Sequence, residues 1–577
     1  MDFEFLRSQV IGADAPVTTP FGERLMVYAD YTASGRCLDL VEKYIQNIQR
    51  NYANTHTEDD ISGRSMTCLL EQAERAIKDS VNAGPDGCIV CVGSGATGAI
   101  DKLQQIIGVA LPPATRQNLK AMLRGLLGDA ADEKFSAYLQ QRQPVVFVGP
   151  YEHHSNEISW RENLATVVEV GLAADGGIDL GHLERLLREP AYQGRMRIGS
   201  FSAASNVTGM LTPVHEIAAL LHAHGAIACF DYAASAPYVD IDMNPPPGKY
   251  PGDASLDAVF ISPHKFLGGP GSTGVLVFNR RVYHSELPPS VSAGGTVDYV
   301  GPDGQDFIAD IEEREKAGTP GVLQILKAGL AFQIKDAVGV DAIGQREREL
   351  LRRTFDRWQR NPNIEILGNP DPERRIGIVS FNLKDHRGRY LHPKFVTTLL
   401  NDLFGIQSRA GCSCAGPYGH RLLDIDHDKS EQYRKWIHKG FCGIKPGWCR
   451  ISLHYAMDDV EADYILDAVE FVAEQGHLFL PLYDFDLHSG AWTHKKDCVC
   501  LEGFSLDAAL ECKGYQSRAL SPGARGHLYQ AFLAEARQLA AGLAEQREGQ
   551  PAPQELQLDR ELEELKFFSV PKQSMSA

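Results

Sequence analysis

Apolar residues in this chain come in short runs that end on polar or small residues. Cys88–Val92 leads into Gly93-Ser94-Gly95-Ala96-Thr97-Gly98 and then a helical pattern over Ala99–Leu103. Val145–Val148 leads to Glu152-His153-His154-Ser155-Asn156, and Arg197–Phe201 leads to Ser205-Asn206-Val207-Thr208-Gly209. Ala226–Phe230 ends at Asp231, and Ala258–Ile261 precedes Ser262-Pro263-His264-Lys265. Runs of this length bounded by turn residues predict buried strands. Thr212 and Pro213 predict a helix start, by a capping hydroxyl and a proline at the first position. Ile217, Ala218, Leu220 and Leu221 supply that helix's apolar face, and Gly225 stops it. The strand-helix-strand rhythm from about residue 26 to 300 predicts an α/β large domain with a mainly parallel sheet. Residues 1–25 read as an N-terminal arm, about 301–477 as a smaller C-terminal α/β domain, and 478–577 as an extension. In the extension, His527–Arg547 predicts a helix with a solvated charged face, and Leu556, Leu558, Leu562 and Leu565 predict a second.

Polar residues at successive strand ends are what a ligand site in an open α/β sheet requires. The glycine turn before Ala99 exposes backbone N–H groups to an anion, with the Thr97 hydroxyl as a further donor. Lys265, after a short strand and before Gly268 and Gly269, can form a Schiff base with an aldehyde cofactor. Asp231 at the end of a buried strand calls for a cationic partner. The protonated pyridine nitrogen of pyridoxal 5'-phosphate is such a partner, so the two residues form a chemical pair, one tuning the ring and one anchoring its aldehyde. An imidazole can stack on that ring, and an asparagine amide can hydrogen-bond its 3-oxygen.

The order Gly95-Ala96-Thr97, Glu152-His153-His154, Asn206, Asp231, Ser262-x-His264-Lys265 and Arg409-Ala410-Gly411-Cys412-Ser413-Cys414-Ala415 resembles class V, fold type I pyridoxal-phosphate enzymes. The likeness is greatest to the cysteine desulfurase and selenocysteine lyase branch, and it runs from about Tyr28 to about Tyr455. The resemblance implies that Lys265 carries the cofactor and acts as general base, His153 stacks on the ring, Asp231 pairs with its nitrogen and Asn206 contacts its 3-oxygen. Gly95, Ala96, Thr97, Ser262 and His264 would hold the phosphate, and Thr296, following Gly295, would reach it across a homodimer interface. Arg409 and Arg450 would lie near the substrate, Arg450 being the better clamp for a carboxylate. Cys414 matches the persulfide cysteine of the Arg-x-Gly-x-x-Cys desulfurases, and Cys412 a second cysteine of the molybdenum-cofactor sulfurases. The implied activity is removal of sulfur from L-cysteine or a similar amino acid as a persulfide on Cys414, releasing alanine, with a sulfur-acceptor protein as partner.

Departures from the family pattern bear on the substrate. Ala234 stands where the desulfurases usually have a glutamine three residues after the aspartate. There is extra sequence between Leu111 and Gln143, a proline-rich insert at Pro245-Pro246-Pro247-Gly248, and a long insertion between Cys414 and Arg450 containing His420, Asp424, Asp426, His427 and Asp428. Beta-elimination to pyruvate, transamination or epimerisation on the same scaffold are therefore alternatives, as is a non-catalytic sulfur-relay or cofactor-holding protein. A formal charge of −18 argues against nucleic acid or an anionic membrane as the main partner. The absence of an apolar leader or spanning segment, with twelve cysteines, predicts a cytoplasmic protein with reduced thiols. His494, Cys498, Cys500 and Cys512 fit no standard zinc spacing, and no metal is expected.

Overall fold

The computed structural model describes residues 1–55, 57, 59–496, 520–547, 554–556 and 558–570. It divides into two compact units. The first comprises Ser34–Asn206 and Met210–Ile343, and the second Met1–Ala33, Val207–Gly209 and Gly344–Ala577.

The first unit is built on seven strands: β1 (Gly87–Val92), β2 (Val145–Val148), β3 (Thr166–Glu169), β4 (Arg197–Ser202), β5 (Ile227–Asp231), β6 (Ala258–Ile261) and β7 (Gly274–Asn279). Their order in the sheet is β1-β7-β6-β5-β4-β2-β3. The pairings from β6 through β3 are parallel, while β7 runs antiparallel to both β6 and β1. All four residues of β2 and of β6 are buried, which is why they read as unbroken apolar runs rather than as alternations. Helix α1 (Ile61–Ser80) precedes β1, and α2 (Gly95–Ile106) follows it. Ala96, Ala99, Ile100 and Leu103 of α2 share one buried cluster with Val90, Val146, Ile198, Cys229, Phe260 and Leu276, which come from six of the seven strands. Cys88 belongs to that cluster.

The sequence between Leu111 and Gln143 folds as two helices, α3 (Pro113–Leu127) and α4 (Asp129–Arg142). No residue of α3 is buried, and Leu119, Met122, Leu126, Leu127, Phe135 and Tyr138 are exposed. Helix α5 (Val214–Ala223) forms where expected, but Thr212 does not cap it. Pro213 occupies the cap position with no side-chain hydrogen bond. The Thr212 hydroxyl donates instead to the Ser202 carbonyl at 2.6 Å and meets the Tyr151 hydroxyl at 2.8 Å, because Thr212 is itself buried beside β4. Helix α6 (Val322–Val338) packs along α1.

The second unit holds a four-stranded antiparallel sheet of β8 (Ile364–Ile366), β9 (Ile378–Leu383), β10 (Arg409–Gly411) and β11 (Trp448–Ser452), in the order β8-β9-β11-β10. Helices α7 (Pro393–Phe404), α8 (Gly416–Leu422), α9 (His427–His438) and α10 (Asp459–Gln475) belong to it. The extension contributes α11 (Pro522–Arg547) and the short α12 (Arg560–Leu565). Helix α11 is not merely a solvated helix: it buries Tyr529, Leu533, Ala536 and Ala540. Its buried Arg525 pairs with Asp14 at 3.2 Å, and Arg7 pairs with Asp14 and with Glu461 of α10, both at 3.0 Å. Leu562 and Leu565 are buried on α12, whereas Leu556 lies outside the helix and donates its N–H to the Val570 carbonyl at 3.0 Å.

Candidate functional site

In the first unit the start of α2 is drawn close to the segment after β6. Gly95 has φ +61°, and a side-chain carbon there would come within 2.9 Å of both Ser262 Oγ and His264 Cε1. The Ala96 N–H donates to Ser262 Oγ at 2.9 Å. Gly274, at the start of β7, approaches so closely that an added Cβ would lie 2.3 Å from the Gly95 carbonyl oxygen. Gly95, Ala96, Ser262 and His264 thus meet at a helix N-terminus, where N–H groups and the helix dipole favour an anion. Burial, with the charge of Lys265 adding to it, pushes the His264 imidazole down to about 4, so it is neutral at neutral pH.

Thr97 is exposed on the first turn of α2, and Ser155 links it to His153. Ser155 Oγ lies 2.7 Å from Thr97 Oγ1 and 3.1 Å from His153 Nδ1. The Ser155 N–H also donates to Nδ1 at 3.2 Å, making that nitrogen an acceptor.

Asp231 ends β5 and is buried. Its Oδ1 accepts from the Ala233 N–H at 2.8 Å. Burial pushes its pKa up, against the pull of that amide and of the Lys265 charge. Lys265 closes the short turn Pro263–Lys265 that follows β6, the neighbour of β5 in the sheet. A buried carboxylate whose charge is incompletely compensated, a lysine acting on it and hydroxyl, imidazole and amide donors at a helix N-terminus form a donor set suited to pyridoxal phosphate: a cationic ring nitrogen, an aldehyde and a phosphate. Asn206, at the C-terminal side of β4, is also buried. Thr296 is buried, and its hydroxyl donates to the Ala293 carbonyl of its own turn at 2.7 Å. Ala234 is buried and offers no side-chain donor.

Glu152 has a larger part in this unit than its place in a sequence motif suggests. Its carboxylate accepts from the Gly149 N–H (3.0 Å), the Ser202 N–H (2.9 Å), the Ser202 hydroxyl (2.7 Å) and Asn156 Nδ2 (2.7 Å). It therefore joins the loop after β2, which carries His153, to the end of β4. Burial pushes it up to about 7, against the pull of these hydrogen bonds, with nearby Asp231 raising it further. The acid immediately before His153-His154 was the available signal in the sequence, but nothing local showed that its partners lie on another strand.

The second unit gathers Arg409, Arg450 and the cysteine loop. Arg409 and Arg450 are paired across β10 and β11. Asp30 lies with them: its Oδ1 is 2.9 Å from Arg450 Nη2 and its Oδ2 3.7 Å from Arg409 Nη1. The Ala29–Thr32 segment is held to β11, with the Ser452 N–H donating to the Ala29 carbonyl at 2.7 Å and the Thr32 N–H to Ser452 Oγ at 3.0 Å. Burial pushes the Arg450 pKa down and Asp30 pulls it back, with smaller opposed effects from Arg409 and Cys414. Sequence reasoning missed Asp30, since no short-range signal couples it to a strand more than four hundred residues on.

Beyond β10 the chain turns sharply, with Ser413 at φ 49° and Cys414 at φ 56°, both in the left-handed region that costs a residue with a side chain of order 1 kcal/mol. Cys414 is exposed at this turn, while Cys412 is half-buried. In the insertion that follows, Asp426 caps α9 by accepting the Lys429 N–H at 2.8 Å. No group of His, Cys, Asp and Glu side chains among the described residues is arranged to hold a metal ion. His494 packs edge-on against Phe21 and Tyr483, and Cys498, Cys500 and Cys512 lie outside the described residues. No helix among the described residues is long and apolar enough to cross a membrane.

Residues 133–465 match the model for aminotransferase class-V. A probable cysteine desulfurase of Halalkalibacterium halodurans is 32% identical over 284 residues, 48% of this chain and 64% of that protein, so the match spans a little under two thirds of that relative. One from Streptomyces coelicolor is 26% identical over 455 residues, 78% of this chain and 92% of that protein. In fold, the chain is similar to the apo cysteine desulfurase of Thermococcus onnurineus (TM-score 0.59, 21% identity, 78% of this chain and 94% of that one). It is likewise similar to the cysteine desulfurase CsdA of Escherichia coli in its S-sulfonic acid form (TM-score 0.59, 20% identity, 82% of this chain and 98% of that one). The family match takes in β2–β7 of the first unit and β8–β11 of the second, more than half of the 577 residues, and on that ground the chain belongs to the aminotransferase class-V family.

Proposed function

We propose that this enzyme removes sulfur from L-cysteine or a closely similar amino acid, holding the sulfur as a persulfide on Cys414 and releasing alanine. The observation that carries the reading is the exposed Cys414 on its left-handed turn, three residues beyond β10, the strand that sets Arg409 against Arg450. The relatives named probable cysteine desulfurases support it. Pyridoxal phosphate, when bound, supplies an electron sink for bonds broken at the substrate's carbon skeleton.

On this reading Ser262, His264, Thr97 and the amides of Gly95 and Ala96 hold the cofactor phosphate. Asp231 would hold its ring nitrogen, Asn206 its 3-oxygen, and the His153 imidazole would pack against the ring. Lys265 Nζ would hold the aldehyde, and it would take and return the proton at the substrate's α-carbon. Arg450 holds the substrate carboxylate, with Arg409 beside it. The Cys414 thiolate forms a bond to the substrate sulfur as the carbon–sulfur bond breaks. The bonding pair returns to the carbon side, which gains a proton and leaves as alanine. A sulfur-acceptor protein would then take the persulfide sulfur, and the enzyme would work as a homodimer in the cytoplasm.

Ala234 favours one other reading, beta-elimination to pyruvate, ammonia and sulfide, because it removes a side chain that in the desulfurases hydrogen-bonds the cofactor. Mass spectrometry of the alkylated holoenzyme after one turnover with L-cysteine separates the two. Desulfuration adds one sulfur, 32 Da, to the peptide bearing Cys414, whereas elimination leaves that peptide unmodified.

A further inference from the structure

Resting on the proposed cofactor site, we propose that Glu152 is a positioning residue: its single carboxyl group holds the backbone of His153 and the strand edge beside Asp231 in one fixed relation, and so sets where a cofactor ring can lie.

Glu152 is buried on the loop after β2, immediately before His153. Gly149 makes room for its side chain, since an added Cβ there would lie 2.5 Å from Glu152 Oε1. Oε1 accepts the N–H groups of Gly149 and Ser202, and Oε2 accepts the Ser202 hydroxyl and Asn156 Nδ2. Two of these ties reach the end of β4 at Ser202, and Ser202 is the residue paired with Asp231 across β4 and β5. The following residue, Ala203, donates its N–H to the Asp231 carbonyl at 2.8 Å. On the loop side, the Asn156 N–H donates to the His153 carbonyl at 2.8 Å. Asn156 cannot turn its amide without giving up two donors, because its Oδ1 accepts from Ser200 Oγ at 2.5 Å and from Trp160 Nε1 at 3.2 Å. His153 thus stands between Glu152 itself and a residue that Glu152 binds, while Asp231 lies beside the strand residue that Glu152 binds twice. Four donors converge on two oxygens, a demand that an acceptor-only carboxylate meets and a carboxamide does not. A glutamine in this place would set its own NH2 group against that of Asn156. One buried acid therefore joins the two elements that carry the proposed ring contacts, and a shift of either element moves one contact relative to the other.

The test uses the full-length protein loaded with pyridoxal phosphate and reads the cofactor itself. The two readings are its dissociation constant and its visible circular dichroism per unit absorbance, which reports how asymmetrically the ring is held. Glu152→Gln should raise the dissociation constant by about tenfold or more and lower the dichroism per unit absorbance by about half or more. Ser202→Ala, which removes only the hydroxyl tie, should move both readings in the same direction by a smaller step. In a His153→Ala background the effect of Glu152→Gln on the dissociation constant should shrink, because one of the two groups it aligns is gone. An equal effect in both backgrounds overturns the proposal. So does a folded Glu152→Gln whose two readings match wild type, since a change in stability alone is what a purely structural carboxyl would give. Should Glu152→Gln not fold, Ser202→Ala decides, and unmoved readings there reject the role of Glu152. A wild type that takes up no pyridoxal phosphate refutes the cofactor site and this role with it. A wild type that binds it but forms neither alanine nor pyruvate from L-cysteine refutes the proposed reaction alone, and the cofactor readings still decide the role of Glu152.

Discussion

Arg450 Nη2 lies 2.9 Å from Asp30 Oδ1, in an ion pair whose arginine side chain is 4% exposed. Arg450 is the proposed clamp for the substrate carboxylate, and a planar guanidinium meets a carboxylate with parallel donors, whereas an ammonium is a single point charge. Arg450→Lys should therefore raise KM for L-cysteine by about tenfold or more with a smaller change in kcat, since about 1.4 kcal/mol of binding is a factor of ten. Steady-state kinetics at saturating cofactor checks this.

Lys265 is the residue on which the cofactor assignment rests. Lys265→Ala should lose the visible absorbance of the purified enzyme and all turnover, while Asp231→Asn should keep cofactor but slow catalysis by about a hundredfold or more, the ring nitrogen having lost its counter-ion. Absorbance spectra of the two variants against wild type distinguish the roles.

Glu152 gives the folded protein a pH dependence of calculable sign. Its carboxyl is pushed up to about 7 from an ordinary 4.5. The folded state keeps a proton that the unfolded chain has already lost, so the contribution to stability is complete below about pH 4.5 and is lost as pH rises through about 7. His264, pushed down to about 4, works the opposite way, losing stability as pH falls below 6.5. Comparison with Glu152→Gln isolates the glutamate. Between pH 5 and 7.5 the wild type should lose roughly 1–3 kcal/mol relative to the variant in urea unfolding.

The α3–α4 hairpin should be dispensable for folding. Helix α3 buries nothing and α4 only Asp132, which accepts from Arg124 of α3 itself at 2.6 Å. Replacing residues 113–142 by a short glycine-serine linker should change unfolding free energy by no more than about 1 kcal/mol. It should also raise solubility by removing the exposed Leu119, Met122, Leu126 and Leu127.

The strands of the large sheet were legible because β2, β5 and β6 are buried on both faces and so read as continuous apolar runs. Lys265 and Asp231 were legible for a related reason, being polar residues at the ends of such runs. What the sequence could not show is partnership at a distance. The hydroxyl of Thr212 looked like a helix cap because the local pattern fits one, yet a buried carbonyl on β4 claims it. Glu152 and Asp30 are ordinary acids in sequence, and their weight comes from donors on other strands, which only the fold brings near. Helix α11 likewise has little contrast between its faces, so the buried Arg525 and Tyr529 do not stand out from its composition.

The central claim, sulfur transfer to Cys414, is tested most directly by quantifying alanine and pyruvate from L-cysteine in the presence of a thiol reductant, for wild type, Cys412→Ser and Cys414→Ser. The account predicts alanine from wild type and from Cys412→Ser, and its loss by about a hundredfold or more in Cys414→Ser. Pyruvate formed equally by all three proteins would contradict it.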